Sequence, residues 1–332
     1  MRAARLHGAR DVRLHEEPVP TPASGETLVR VAAVGLCGSD LHWFEEGGIG
    51  GATIKQPIVP GHEFAGRTSD GRLAAIDPAI YCGLCLPCLE GHPNLCPSVR
   101  FAGQSPDDGA LREWMAWPAH CVVPLPDGFS AEDGAMLEPL GVAIHAVDLA
   151  HVRTGDTVGV LGCGPIGLFC LQVAKAAGAA RLVATDLPSR PHRLEAARAL
   201  GASVFPAEEG REAAAIRGAV GGLGLDAAVE CAGTQEAVDA ALEAVRPGAR
   251  VVLAGIPSFE RTSLRASTAR RKGLTIAFSR RMKHVYPRAI ALVESGHADL
   301  RRVVSHRIPL ADVAQAFELA ASRQGLKVIV EP

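Results

Sequence analysis

The fold is decided by residues 157 to 186, "TVGVLGCGPIGLFCLQVAKAAGAARLVATD". A short apolar run, "DTVGVLGCG", reads as a buried strand, and "PIGLFCLQVAKAAGA" behind it reads as a helix. Between them Gly162, Gly164 and Gly167 form G-x-G-x-x-G, with Pro165 and Ile166 completing the turn. Glycines at this spacing permit a tight turn and let backbone approach a pyrophosphate, which then sits on the positive end of the helix. Asp186 closes the next strand, "ARLVATD", 19 residues past Gly167. A carboxylate there can accept hydrogen bonds from both ribose hydroxyls and disfavours a 2'-phosphate, so the pattern points to NAD over NADP. Arg190 and Arg193 follow; either could accommodate some NADP, or both are solvated charges on the next helix.

Outward from this stretch the alternation continues through "SRPHRLEAARALGA", "LDAAVECAG", "TQEAVDAALEAVRPG", "ARVVLAGI" and "GLTIAFS". Strands alternating with helices imply βαβ units and a doubly wound parallel sheet, expected over residues 146–278. Residues 1–145 differ: rich in Pro and Gly, with short β-branched runs such as "ETLVRVAAVGLC" and "AHCVVPLP", they read as an irregular or barrel-like β domain. The tail 279–332 offers two helical stretches and a closing strand that rejoins the first domain.

The chain has 332 residues, which suits two domains. A net charge of -2 gives no footprint for a phosphate backbone, so nucleic acid is excluded as a partner. No apolar run approaches the ~20 residues that span a bilayer, and the first residues lack a secretory pattern, so a cytoplasmic protein without a membrane partner is expected. In a reducing compartment the nine cysteines read as metal ligands and buried thiols rather than disulfides.

Four of the nine stand in "YCGLCLPCLEGHPNLC" as Cys82, Cys85, Cys88 and Cys96, in a lobe at 81–97. Four thiolates at this spacing can close tetrahedrally on one zinc, leaving no position for substrate, so the site is structural by its geometry. An iron–sulfur cluster is the rival. A catalytic zinc needs mixed ligands and an open position. Cys37 in "GLCGSDLH", His62 and Glu63 in "PGHEFAG", and Glu138 in "MLEPLGVAIHAV" supply such donors. Neighbours in extended chain point opposite ways, so of His62 and Glu63 one is expected on the metal and the other beside it. Glu138 is expected to open a helix, where the dipole stabilises a carboxylate.

With "CGSDLH", "GHEFAG", the four-cysteine lobe, "EPLGVAIHA" and "GCGPIG" in this order, the chain resembles the zinc-dependent medium-chain dehydrogenase family over essentially its whole length. The resemblance implies a GroES-like catalytic domain around a Rossmann domain, and two zinc ions per subunit. The catalytic zinc is held by Cys37, His62 and a third carboxylate, with Glu63 as an alternate ligand. It also implies a homodimer or homotetramer. Within the family the likeness is to the branch of sorbitol, xylitol and iditol dehydrogenases, which carry glutamate where simple alcohol dehydrogenases have a cysteine, here Glu138. Arg281 matches an arginine that holds substrate hydroxyls, and Trp43 stands where that branch has a tyrosine. The expected reaction is hydride transfer from a secondary alcohol of a small polyol to NAD, with zinc as Lewis acid. The resemblance assigns proton removal to Ser39, the cofactor ribose and His42. Extra basic residues around Arg281 leave an aldonate such as idonate open as substrate, alongside threonine or an aldose such as glucose. A zinc- and nucleotide-binding redox sensor without turnover is the reading from another class.

Overall fold

The computed structural model describes residues 1–332 and divides the chain into two compact units, Met1–Glu138 with Val304–Pro332, and Pro139–Val303. The second is built on a six-stranded sheet with all neighbours parallel. Its order across the sheet is Ser203–Pro206, Arg181–Asp186, Thr157–Leu161, Leu225–Glu230, Val245–Leu253 and Thr275–Phe278. The chain reverses its winding direction between Thr157–Leu161 and Leu225–Glu230, the point where open α/β sheets bind ligands. All five residues of Thr157–Leu161 are buried, which is why the segment reads as a continuous apolar run and not an alternating one. The short strand Ser203–Pro206 and the helix Glu212–Val220 carry weak apolar patterns and were not evident in the sequence.

In the first unit, the strand Glu26–Gly35 is central. It pairs antiparallel with Glu63–Thr68 and with Trp114–Pro118, and its last residues pair with Lys327–Glu331. Val304–Pro309 completes that edge beside Lys327–Glu331. A core of Leu6, Val29, Phe64, Met115 and Val330 fills the interior, with the rings of Phe44 and Phe317 at 4.9 Å. Gly35 is registered opposite both Glu63 and Ile329, so three distant chain segments meet at the residue that leads into Cys37.

The divisions fall elsewhere than the change in sequence texture suggests, after Glu138 rather than 145 and after Val303 rather than 278. The first lies inside one continuous helix, Ala131–Ala150, with no break in the chain to mark it. Residues 279–303 stay with the second unit because Met282, Val285, Tyr286 and Ala289 are buried there. Gly141 admits Met282 and Val285 so closely that a Cβ would lie 2.6 Å and 2.8 Å from their side chains. The Gln172 side chain also exchanges two hydrogen bonds with the Asp299 backbone. Only 304–332 returns to the first unit. No helix is long and apolar enough to cross a membrane.

Candidate active site

Cys37 follows the strand Glu26–Gly35 directly and caps the helix Gly38–Glu46 in extended conformation. Three residues on, buried Asp40 turns back: Oδ2 accepts from the Cys37 N–H at 2.9 Å and Oδ1 from the Gly61 N–H at 3.2 Å. The same Oδ1 lies 3.6 Å from Nδ1 of His62, which leaves Nε2 of that ring for another partner. Burial pushes the Asp40 carboxyl up, and His62 with the two backbone N–H groups outweigh it, holding Asp40 below the usual carboxylate range. Burial would likewise depress His62, but Asp40 and Cys37 outweigh that and hold it well above its usual value.

Donor atoms of Cys37, His62 and Glu63 all lie within 4.8 Å of one another. The alternation expected of His62 and Glu63 does not apply, because the strand begins only at Glu63 and Gly61 enters it with φ 95°. Glu63 is fully buried and has a cation of its own. Lys327 Nζ donates to Oε1 at 2.7 Å and Oε2 at 2.6 Å, and to the Leu36 carbonyl at 3.0 Å. Room for that carboxylate comes from Gly35, where any Cβ would collide with Glu63 Oε2.

Glu138 does not open a helix. The helix begins at Ala131, set by Ser130 and Asp133, which exchange side-chain to backbone bonds at 2.9 Å and 3.1 Å, and it runs on through Pro139. Glu138 is thus in the helix interior, away from the favourable dipole end. Burial, and Glu63 close by, push its carboxyl up to about 7. A soft thiol, an imidazole and two buried carboxylates make a donor set suited to zinc.

The four lobe cysteines form a second cluster with all donor atoms within 4.8 Å. Sγ of Cys82 is 3.5 Å from that of Cys96 and 4.0 Å from that of Cys88. A tetrahedron with Zn–S bonds of about 2.3 Å has S···S edges of ~3.8 Å, so these thiols already stand at ligand spacing. Backbone N–H groups of Leu84 and Cys85 pull Cys82 down to about 6, while burial and Cys85 push Cys88 up to about 12. The loop itself favours the thiolate of Cys82 and disfavours those of Cys85 and Cys88.

In the second unit the glycine turn has the geometry its spacing implies. Gly162 has φ 101° and packs on the backbone of Cys231 and Ala232, and a Cβ on Gly167 would collide with the Gly162 carbonyl. Gly164 caps the helix Pro165–Ala176, with Pro165 and Ile166 in its first turn. Asp186 is buried, with Oδ2 accepting from the Cys163 N–H and Oδ1 from the Leu187 N–H, both at 2.7 Å. Arg193 is also buried, its Nη1 4.0 Å from Asp186 Oδ2, rather than solvated.

Residues 23–127 match the alcohol dehydrogenase GroES-like domain family, and residues 165–295 match the zinc-binding dehydrogenase family. It belongs to the zinc-dependent medium-chain dehydrogenases. This dehydrogenase is 34% identical to sorbitol dehydrogenase of Bacillus subtilis (strain 168), across 100% of the chain and 97% of the relative. It is 37% identical to sorbitol dehydrogenase of Macaca fascicularis, across 98% and 94%. The structure of L-idonate 5-dehydrogenase from Escherichia coli superposes with a TM-score of 0.90 at 28% identity, across 100% and 98% of the two chains.

Of the remaining residues singled out in the dehydrogenase sequence, Ser39 and His42 lie in the first two turns of Gly38–Glu46. His42 Nδ1 is 2.8 Å from Glu46 Oε1. Trp43, on that helix, is buried in the core of the first unit, so its bulk is packed among apolar side chains. Arg281 belongs to the second unit and has φ 54°, an uncommon backbone state for a non-glycine residue. Three partners were missed. Asp40 announces itself only as a Cys-x-x-Asp cap, Glu46 as an i,i+4 neighbour of His42, and Lys327 as the one cation before the apolar run "VIV" in "LKVIVEP".

Proposed function

We propose that this dehydrogenase oxidises a secondary alcohol of a polyol to a ketose with NAD. The observation that carries the reading is the buried carboxylate of Glu138 close to His62 and Glu63, at the position where the family resemblance puts a cysteine in simple alcohol dehydrogenases. The full-length similarity to sorbitol dehydrogenases supports it. A zinc ion held by Cys37, His62 and a carboxylate supplies Lewis acidity that makes a substrate hydroxyl acidic near neutral pH. Asp40, with Oδ1 3.6 Å from Nδ1 of His62, would orient that ring and leave Nε2 for the metal. His42, with Nδ1 on Glu46, keeps Nε2 as the nitrogen that takes the departing proton after Ser39. Arg281 holds substrate hydroxyls. The second zinc, on Cys82, Cys85, Cys88 and Cys96, pins the lobe and takes no part in turnover.

Asp186 supports NAD over NADP, and Arg193, drawn towards that carboxylate, contributes to holding the cofactor rather than to reading a 2'-phosphate. The protein acts as a homodimer or homotetramer in the cytoplasm. An aldonate is the second reading, favoured by Arg280, Arg281, Lys283 and His284 in a row interrupted only by Met282 and by the likeness to the idonate enzyme. Zinc-loaded protein assayed with sorbitol, xylitol, iditol, ribitol, galactitol and idonate, each with NAD and with NADP, decides between them. Reduction of NAD by idonate alone transfers the assignment to the aldonate.

A further inference from the structure

Lys327 is a cation 98% withdrawn from solvent beside a group of metal-ligand candidates, where a second positive charge should weaken metal binding if it served no purpose. All three of its N–H donors are used: two on the oxygens of Glu63 and one on the carbonyl of Leu36, the residue before Cys37. The ammonium group therefore ties the side chain of one ligand to the peptide that carries another. It reaches them from the strand Lys327–Glu331, almost three hundred residues away in sequence. Gly35 lies against Oε2 of that carboxylate, and Met136 lines the same spot, its Cε 2.7 Å from where a Gly35 Cβ would be. Each carboxylate oxygen has two lone pairs and gives one to Nζ, so one on each remains for a metal.

We propose that Lys327 is a positioning residue for the metal centre, orienting Glu63 and fixing its distance from Cys37 so that the two ligate one ion. The assignment rests on the reading that Cys37, His62 and Glu63 hold a metal. Charge and geometry predict opposite signs for its removal. Were Lys327 only a nearby charge, Lys327→Met would tighten zinc binding. As an orienting group it should cost about 10-fold or more in zinc affinity, the usual effect of removing the partner of a ligand.

The test is zinc affinity by chelator competition, together with the visible spectrum of the cobalt-substituted protein, for wild type, Lys327→Met, Glu63→Gln and the double variant. The expected result is a loss of about 10-fold or more in each single variant, with an altered cobalt spectrum. The double variant should be no worse than Glu63→Gln, because Lys327 acts through that carboxylate. Unchanged or tighter zinc binding by Lys327→Met, or losses that add, would overturn the proposal. Should Lys327→Met not fold, an unchanged cobalt spectrum in Glu63→Gln overturns it as well, because Lys327 would then have no ligand to position. Failure of the underlying reading is separate: in that case Cys37→Ser retains the full zinc content.

Discussion

Two alanine substitutions in one turn separate folding from cofactor binding. At Gly162 the backbone has φ 101°, and an added Cβ would stand 2.7 Å from Ala232 N and 2.9 Å from the Cys231 carbonyl carbon. Both are main-chain atoms at the end of a buried strand and cannot rotate aside. The backbone state costs about 1–3 kcal/mol for an L-residue, and the forced packing costs about 1–3 kcal/mol more. A penalty of about 4 kcal/mol in a unit of this size lowers the melting temperature by roughly 10 °C. At Gly164 the conditions reverse. It has φ -69°, and a Cβ would meet only Arg193 Nη1, at 3.7 Å. Gly164→Ala should therefore leave stability unchanged or raise it by about 0.4–1 kcal/mol through the unfolded state. The methyl group nevertheless stands where backbone must approach the pyrophosphate, so NADH affinity should fall about 10-fold or more, ~1.4 kcal/mol. Calorimetric melting of the cofactor-free protein and fluorescence titration with NADH read the two effects. Wild-type NADH affinity in Gly164→Ala, or a wild-type melting temperature in Gly162→Ala, refutes the assignment of the turn.

Further predictions follow from the metal clusters and one buried acid. Cys37→Ser should abolish turnover and lower the zinc content from two ions to one per subunit with little change in melting temperature; metal analysis and NADH formation check both. Cys88→Ser should lose the other zinc and melt at lower temperature, and selective loss of catalysis in a stable protein would contradict a structural lobe. Burial pushes Asp77 up to about 6 from 3.8, so the folded state favours its protonated form. Its contribution is present below pH ~4 and is lost as pH rises through 6. Asp77→Asn should remove that slope and exceed wild-type stability by about 2 kcal/mol above pH 7, measured by urea unfolding across pH.

The second unit was legible because its signals are local. The glycine turn and Asp186 fall within one strand–helix–strand stretch of 30 residues, and the buried strand Thr157–Leu161 reads as a continuous apolar run, whereas Ser203–Pro206 and Glu212–Val220 escaped notice. Cys37, His62 and the lobe were legible as donor types at characteristic spacing. What surrounds them was not. Lys327 meets Glu63 across 264 residues of sequence, and no periodicity links a C-terminal strand to that carboxylate. Glu138 lies close to His62 and Glu63, but not at a helix start: Pro139 reads as the first residue of a helix, and the helix begins eight residues earlier, at Ala131. The first division between compact units falls inside the continuous helix Ala131–Ala150, where no turn or loop signal marks a boundary.

If zinc on Cys37, His62 and a carboxylate serves the oxidation of a polyol, the rate of NADH formation from NAD and the polyol panel, compared for zinc-loaded wild type and Cys37→Ser, reads it directly. Wild type should turn over at least one polyol and the variant none. Turnover retained in Cys37→Ser, or wild-type protein that leaves NAD unreduced with every polyol, would contradict it.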